Sequence, residues 1–199
     1  PTRRSSDLSK LSGTFQSAKL ASDMIEDINI HLIDSKSVSF GEAALVLKGI
    51  ELIDKNLPAK QIVVALNEII KNIKIYVIVD TLKYLVKNGR LSVAAGFLGS
   101  LLKIKPLLTL TPEGELKPFE KIRTLTKAQQ RAIDLILEET QSVEAHYFIA
   151  YTSTPEKAEE IKNTLLTAKP NSKVTIIPLT PVVGAHAGPG TIGIGYLKI

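Results

Sequence analysis

The run Pro181-Val182-Val183-Gly184-Ala185-His186-Ala187-Gly188-Pro189-Gly190-Thr191 carries the reading of the fold. It follows an apolar, strand-like segment from Val174 to Leu179 and precedes the alternating Thr191-Ile192-Gly193-Ile194-Gly195-Tyr196-Leu197. Gly188 to Gly193 spells GxGxxG, but a dinucleotide site requires a helix after that motif, with its N-terminus facing the pyrophosphate. The six residues after Gly193 alternate as a strand does instead. Pro189 also removes a backbone N–H where a phosphate cradle needs donors. The stretch therefore reads as a bend between two strands of an α/β fold, and the nucleotide reading is rejected. Glycine lacks the Cβ that keeps a backbone away from a ligand, so His186 in this setting is a candidate binding residue. An incidental histidine in a turn has the same residue types around it.

With 199 residues, 44% of them hydrophobic, the chain can bury one large core or two smaller ones. A membrane span needs roughly 18 to 20 consecutive apolar residues. Even Leu91 to Leu110 is interrupted by Ser92, Ser100, Lys103 and Lys105, so no span is expected. The count of 0 cysteines excludes disulfides and thiol catalysis and, with no signal peptide in view, fits a reducing cytoplasm. The net charge of +5 is spread over Lys48, Lys55, Lys60, Lys71, Lys74, Lys83 and Lys87, as on solvated helix faces. Tryptophan is absent, which leaves base stacking poorly supplied, so no nucleic acid partner is expected; a small anion or an acidic protein surface suits the chain better. His31, His146 and His186 show neither HxxxH nor HxH spacing, and no metal or cofactor is expected.

Along the chain, residues 1–8 carry no apolar periodicity and read as an extension. Ser12-Gly13-Thr14 supplies helix-start residues, and Phe15, Ala18, Leu20, Ala21, Met24 and Ile25 an apolar helical stripe. Ser12 is thereby placed at a helix N-terminus, where free N–H groups and the dipole favour an anion; a plain N-cap serine fits equally well. Ile28 to Ile33 reads as a short strand, Gly41 to Ile53 as an apolar helix, and Asn56-Leu57-Pro58-Ala59 as a domain boundary. An amphipathic helix is expected from Ala59 to Asn72. Further strands are expected at Ile75–Val79, Pro106–Leu110, Leu116–Arg123, His146–Tyr151, Val174–Pro178 and Ile192–Lys198, with a hairpin around Thr111-Pro112-Glu113-Gly114-Glu115. Helices fit Thr81–Lys87, Val93–Leu102, Thr126–Thr140 and Pro155–Ala168, the last opened by Thr154 as cap. The fold class is α/β. Residues 9–57 form the remnant of a first α/β domain whose strand lacks sheet partners, and residues 58–199 a second α/β domain with a mixed sheet of about six strands covered by helices.

Five ordered motifs resemble the DegV family. They are Leu11-Ser12-Gly13-Thr14-Phe15-Gln16-Ser17-Ala18; Ile33-Asp34-Ser35 with Ser39 and Gly41; Val79-Asp80-Thr81-Leu82-Lys83-Tyr84-Leu85 with Lys87-Asn88-Gly89-Arg90; Phe97-Leu98-Gly99 with Ile104-Lys105-Pro106; and His186-Ala187-Gly188-Pro189-Gly190. The resemblance runs from about Ser9 to the end. It implies a bacterial protein of two α/β domains, the first a Rossmann-like parallel layer that is incomplete here, with the 181–191 loop returning to an interdomain site. It further implies that the protein binds a long-chain fatty acid as the carrier subunit of a fatty acid kinase, a separate ATP-binding subunit doing the phosphorylation. By motif, Ser12, Thr14 and His186 are implied to hold the carboxylate, and Arg90 to lie at the mouth, facing head group or kinase. Ala94, Phe97, Leu98, Leu101 and Ile104 are implied to line the acyl tunnel. The family's N-terminal segment, which includes a strand with an Asp-Ser signature and a further head-group hydroxyl, has no counterpart. Asn88 stands where glycine is usual, in a turn expected to need positive φ, which Asn tolerates.

The residues suit such a ligand independently. Val93-Ala94-Ala95-Gly96-Phe97-Leu98-Gly99-Ser100-Leu101-Leu102 alternates large and small apolar groups, as the wall of a narrow sleeve would and as an ordinary core helix also would. At about 0.8 kcal/mol per buried methylene, a tail of about fifteen gains on the order of 12 kcal/mol before ordering costs. Two other functions compete. Ser12 and His186 could serve an ester or thioester hydrolase, although no GxSxG elbow surrounds Ser12 and only Asp34 or Asp80 could orient the histidine. Alternatively the chain is an inactive fragment that lacks part of the site and exposes apolar surface.

Overall fold

The computed structural model describes residues 9–91 and 104–199. Two compact units emerge, one of Pro1–Ile73 with Pro112–Glu115, the other of Lys74–Thr111 with Leu116–Ile199.

In the first unit the helices are α1 (Thr14–Asp23), α2 (Phe40–Asp54) and α3 (Ala59–Lys71). The α2 helix ends through Lys55 and then Asn56 at φ 57, the left-handed geometry asparagine accepts at a helix end. Pro58 follows and starts α3, so Asn56–Ala59 is a tight corner between two helices. Leu45 and Leu52 of α2 meet Leu66 of α3 in a small core, flanked by Ile33, Leu57, Ile62, Ile69 and Ile70. The expected strand at Ile28–Ile33 does not form: the segment joins no ladder, and a single bridge appears at Asp34. Backbone donors become a strand only when a neighbouring strand takes them. Nor does the stripe of α1 form a core, since none of its residues is buried and Leu20 and Met24 are 58% and 84% exposed.

The second unit is organised by a mixed sheet of six strands in the order β3-β2-β1-β6-β4-β5. These strands are β1 (Ile73–Ile78), β2 (Leu107–Leu110), β3 (Leu116–Glu120), β4 (Ala145–Tyr151), β5 (Lys173–Pro178) and β6 (Ile192–Lys198). The hairpin predicted around Gly114 joins β2 to β3 antiparallel, with Gly114 at φ 83 in the turn. The β4 strand pairs parallel with β5, which requires a crossover, and antiparallel with β6. The crossover is α6 (Pro155–Ala168); the other helices among the described residues are α4 (Lys83–Lys87), α5 (Leu125–Glu139) and α7 (Pro181–Ala187).

Helical spacing puts Ala128, Ala132, Leu135 and Ile136 on one face of α5, where they join Tyr76, Ile78, Tyr147, Ile149, Ile192 and Ile194 of the sheet in the main core. Each large side chain so buried contributes about 1.5–3 kcal/mol. The polar end of that core is closed by Glu139, which accepts the hydroxyls of Tyr76 at 2.6 Å and Tyr196 at 3.0 Å. Thr124 caps α5 by accepting from Lys127 N at 3.3 Å. Thr154 takes the N-cap position of α6, yet its hydroxyl makes no cap bond and is buried without a partner. The helix expected at Val93–Leu102 lies outside the described residues.

Candidate functional site

The stretch read from sequence as a glycine-bounded bend is mostly helix. Pro181 starts α7 in the first helical position, where its missing N–H costs nothing. Gly188 ends it at φ 85 and ψ 173, a conformation essentially confined to glycine. Helix periodicity was illegible there because seven residues span barely two turns and two of them border proline or glycine punctuation.

Two neighbouring loops secure this helix. From the β4–α6 connection, Ser153 Oγ accepts from Gly190 N at 2.9 Å and Thr152 Oγ1 from Thr191 N at 3.0 Å. Thr152 N donates to Thr191 O at 3.1 Å, closing a reciprocal pair. Thr191, 1% exposed, turns its own hydroxyl back to the carbonyls of Ala187 and Gly188 at 3.0 and 2.9 Å. From α4, the ring of Tyr84 lies directly against Gly188: a Cβ there would come within 2.4 Å of the ring. Asp80 lies beside Gly190 and is held by Lys105, whose ammonium donates to the Asp80 carbonyl and carboxylate, both at 2.6 Å.

His186, half-buried in the last turn of α7, is the chemically notable side chain. Its Nδ1 is buried and has no hydrogen-bond partner among the described residues. A buried polar nitrogen left so costs about 1–3 kcal/mol, so a partner that satisfies it is favoured, an acceptor or a donor according to the tautomer. The two aspartates that could have oriented it are engaged elsewhere, Asp80 by Lys105 and Asp34 by Ser9 and the Lys36 N–H. Among the described residues, neither aspartate is bonded to the His186 Nδ1.

Ser12 lies before α1 rather than at its cap, which is Gly13. Its hydroxyl accepts from Thr14 N at 3.2 Å and lies 3.0 Å from Thr14 Oγ1, so the two hydroxyls form one polar cluster at the start of the helix. Arg90 donates through Nη1 to Asn88 O at 2.6 Å. Asn88 itself has φ −91, and the positive φ of this turn falls on Gly89 at 66. Positive φ is therefore not what position 88 demands, and the expectation that asparagine substitutes there as a left-handed residue is corrected. Of the expected tunnel residues, Ile104 is half-buried, while Ala94, Phe97, Leu98 and Leu101 lie outside the described residues. Sequence reasoning passed over Tyr84, Thr152, Ser153 and Thr191 as parts of the site; only the i, i+4 spacing of Tyr84 and Asn88 hinted that both face one way.

No group of three or more His, Cys, Asp or Glu side chains that could hold a metal occurs among the described residues. No helix among them is long and apolar enough to cross a membrane.

The architecture is that of a mixed α/β protein whose strands β5 and β6 are joined through a short, glycine-ended helix carrying a buried imidazole nitrogen. Comparison with known proteins makes the assignment specific: the chain belongs to the DegV family, whose description, "Uncharacterised protein, DegV family", matches residues 8–198. It is 35% identical over 190 residues to the DegV domain-containing protein YteA of Lactococcus lactis, covering 94% of this chain and 66% of that one. Its fold is similar to the crystal structure of DegV, a fatty acid binding protein from Bacillus subtilis, with a TM-score of 0.87 and 33% identity over 97% of this chain and 69% of that one. The Streptococcus pneumoniae Fatty Acid Kinase (Fak) B3 protein loaded with linoleic acid is similar at a TM-score of 0.83 and 26% identity, over 96% of this chain and 69% of that one. The chain thus spans about two thirds of its relatives' length.

Proposed function

We propose that this chain binds a long-chain fatty acid and presents its carboxylate to a separate ATP-binding kinase subunit, without itself catalysing the transfer. The observation that carries this reading is the buried, unpartnered Nδ1 of His186 on a helix end tied down from both neighbouring loops. In the tautomer with a proton on Nδ1, the imidazole donates to a carboxylate oxygen, and a hydrogen bond to a charged group is worth about 1.5–3 kcal/mol. Ser12 and Thr14 are the hydroxyls assigned to the same carboxylate, because they form one polar cluster at the start of α1, the end of a helix that favours an anion. Ala94, Phe97, Leu98, Leu101 and Ile104 are the residues assigned to the acyl chain, and the apolar transfer of its methylenes supplies most of the affinity. Arg90, already turned toward the Asn88 carbonyl, faces the kinase, and the setting is cytoplasmic. The fatty acid bound by the Bacillus subtilis DegV and the linoleic acid in the pneumococcal protein support the ligand class.

Mass spectrometry of an organic extract of the purified protein tests the reading and is expected to return a fatty acid. His186→Ala is expected to weaken acid binding about 10- to 100-fold at unchanged far-UV circular dichroism. Arg90→Ala should weaken acid binding far less than His186→Ala does and lower acyl phosphate formation with a kinase subunit. A well-folded sample devoid of lipid, and unable to take up added fatty acid, would refute the proposal.

A further inference from the structure

An imidazole can grip an anionic head group only if its helix is held still, and α7, with seven residues, is too short to hold itself. We propose that Asn88 is a positioning residue for His186, acting through its side-chain hydrogen bond to the last turn of α7; the proposal rests on the carboxylate reading of His186.

The carbonyls at the end of a helix have no partner within it and need one from outside. In α7 the Gly184 carbonyl accepts from Gly188 N at 2.8 Å, and the Ala187 carbonyl from Thr191 Oγ1 at 3.0 Å. Asn88 supplies the Ala185 carbonyl, its Nδ2 donating at 3.2 Å across 97 residues of sequence. Ala185 immediately precedes His186, so this bond fixes the peptide that carries the imidazole.

Asn88 is itself prepared for the role. It caps α4 at φ −91 and ψ 3, its N–H donating to Tyr84 O at 3.0 Å while its own carbonyl accepts from Arg90 Nη1 at 2.6 Å. With its backbone engaged on both sides, the side chain reaches α7 at little entropic cost. Tyr84 and Asn88 are one turn apart on α4 and therefore share a face. The first packs on Gly188 and the second bonds Ala185, so their two contacts bracket His186. Tyr84 sets the depth of the helix by van der Waals contact, and Asn88 sets its rotation, because a hydrogen bond is directional where apolar contact is not.

The test compares binding of palmitic acid and of the same-length alcohol, hexadecanol, in the wild type, His186→Ala and Asn88→Ala. Loss of the Asn88 donor is expected to lower palmitate affinity about 3- to 10-fold and hexadecanol affinity much less, because a hydrogen bond from His186 to a charged carboxylate is stronger than one to a neutral hydroxyl. Asn88→Leu, which keeps volume without a donor, should match Asn88→Ala and stands in for it if the alanine variant does not fold. Unchanged palmitate affinity in the Asn88 variants, alongside a loss in His186→Ala, overturns the role of Asn88 and leaves that of His186 standing. Equal loss of acid and alcohol also overturns it, by showing that Asn88 merely supports the fold. If His186→Ala itself keeps the preference for acid over alcohol, the carboxylate reading falls and this inference with it.

Discussion

Replacing Gly188 with alanine strikes the point where backbone geometry and packing constrain the candidate site together. Gly188 sits at φ 85 and ψ 173, and holding a non-glycine residue in such a region costs about 1–3 kcal/mol. The new methyl would meet Tyr84 Cδ2, Cε2 and Cγ at 2.4, 2.8 and 3.0 Å, all far inside van der Waals contact. Overpacking of this kind costs about 1–3 kcal/mol when neighbours must move. Tyr84 is 37% exposed, so its ring can swing partly into solvent and the steric share falls toward the lower limit. The expected loss is about 2–4 kcal/mol, a large part of the roughly 5–15 kcal/mol that holds a typical domain together. Urea denaturation followed by far-UV circular dichroism measures it, since the chain has no Trp to report by fluorescence. A double-mutant cycle separates the two causes: in a Tyr84→Ala background, Gly188→Ala should cost only the backbone share. A loss below about 1 kcal/mol in the single variant would refute the strain argument. An identical loss with and without the Tyr84 ring would refute the steric one.

Burial, aided by the nearby Lys173 ammonium, holds the His146 imidazole down at about 4, from an ordinary 6.5. Its folded form thus resists a proton that the unfolded chain accepts, so stability should decline as pH falls from about 6.5 toward 4 and level off below. His146→Asn should flatten that part of a stability-against-pH curve; an unchanged slope would reject the assignment. Burial first, and then the Glu139 carboxylate, hold the Tyr76 and Tyr196 phenols well above the usual tyrosine range. Glu139→Ala leaves two buried hydroxyls without their acceptor and is expected to cost about 1–3 kcal/mol for each in chemical denaturation. Val46, Leu47, Ile50 and Ile53 form an exposed apolar face on α2, which should bind an anilinonaphthalene sulfonate dye. The pair Leu47→Glu and Ile50→Lys should abolish most of that fluorescence.

Much of the second unit was legible because its signals are local. Alternation marked β6 with the observed bounds Ile192–Lys198, turn residues marked the β2–β3 hairpin, and proline after a threonine marked the start of α6. The family was legible too, since ordered motifs such as HxGPG survive as text. Misreadings arose where the outcome depends on a neighbour. Among the described residues, Ile28–Ile33 has strand composition but no partner strand, and the α1 stripe has helical spacing but no buried residue.

Read alone, then, the chain determined its class, most of its strands and the candidate residues Ser12 and His186, because hydrophobic period, proline and glycine act over a few residues. Only tertiary structure decided that His186 rides on a short helix, that its Nδ1 is left without a partner, and that Tyr84 and Asn88 secure the helix from about a hundred residues away. Hydrogen-bond satisfaction is a property of three-dimensional neighbours, and no local pattern encodes which carbonyl a distant amide will reach.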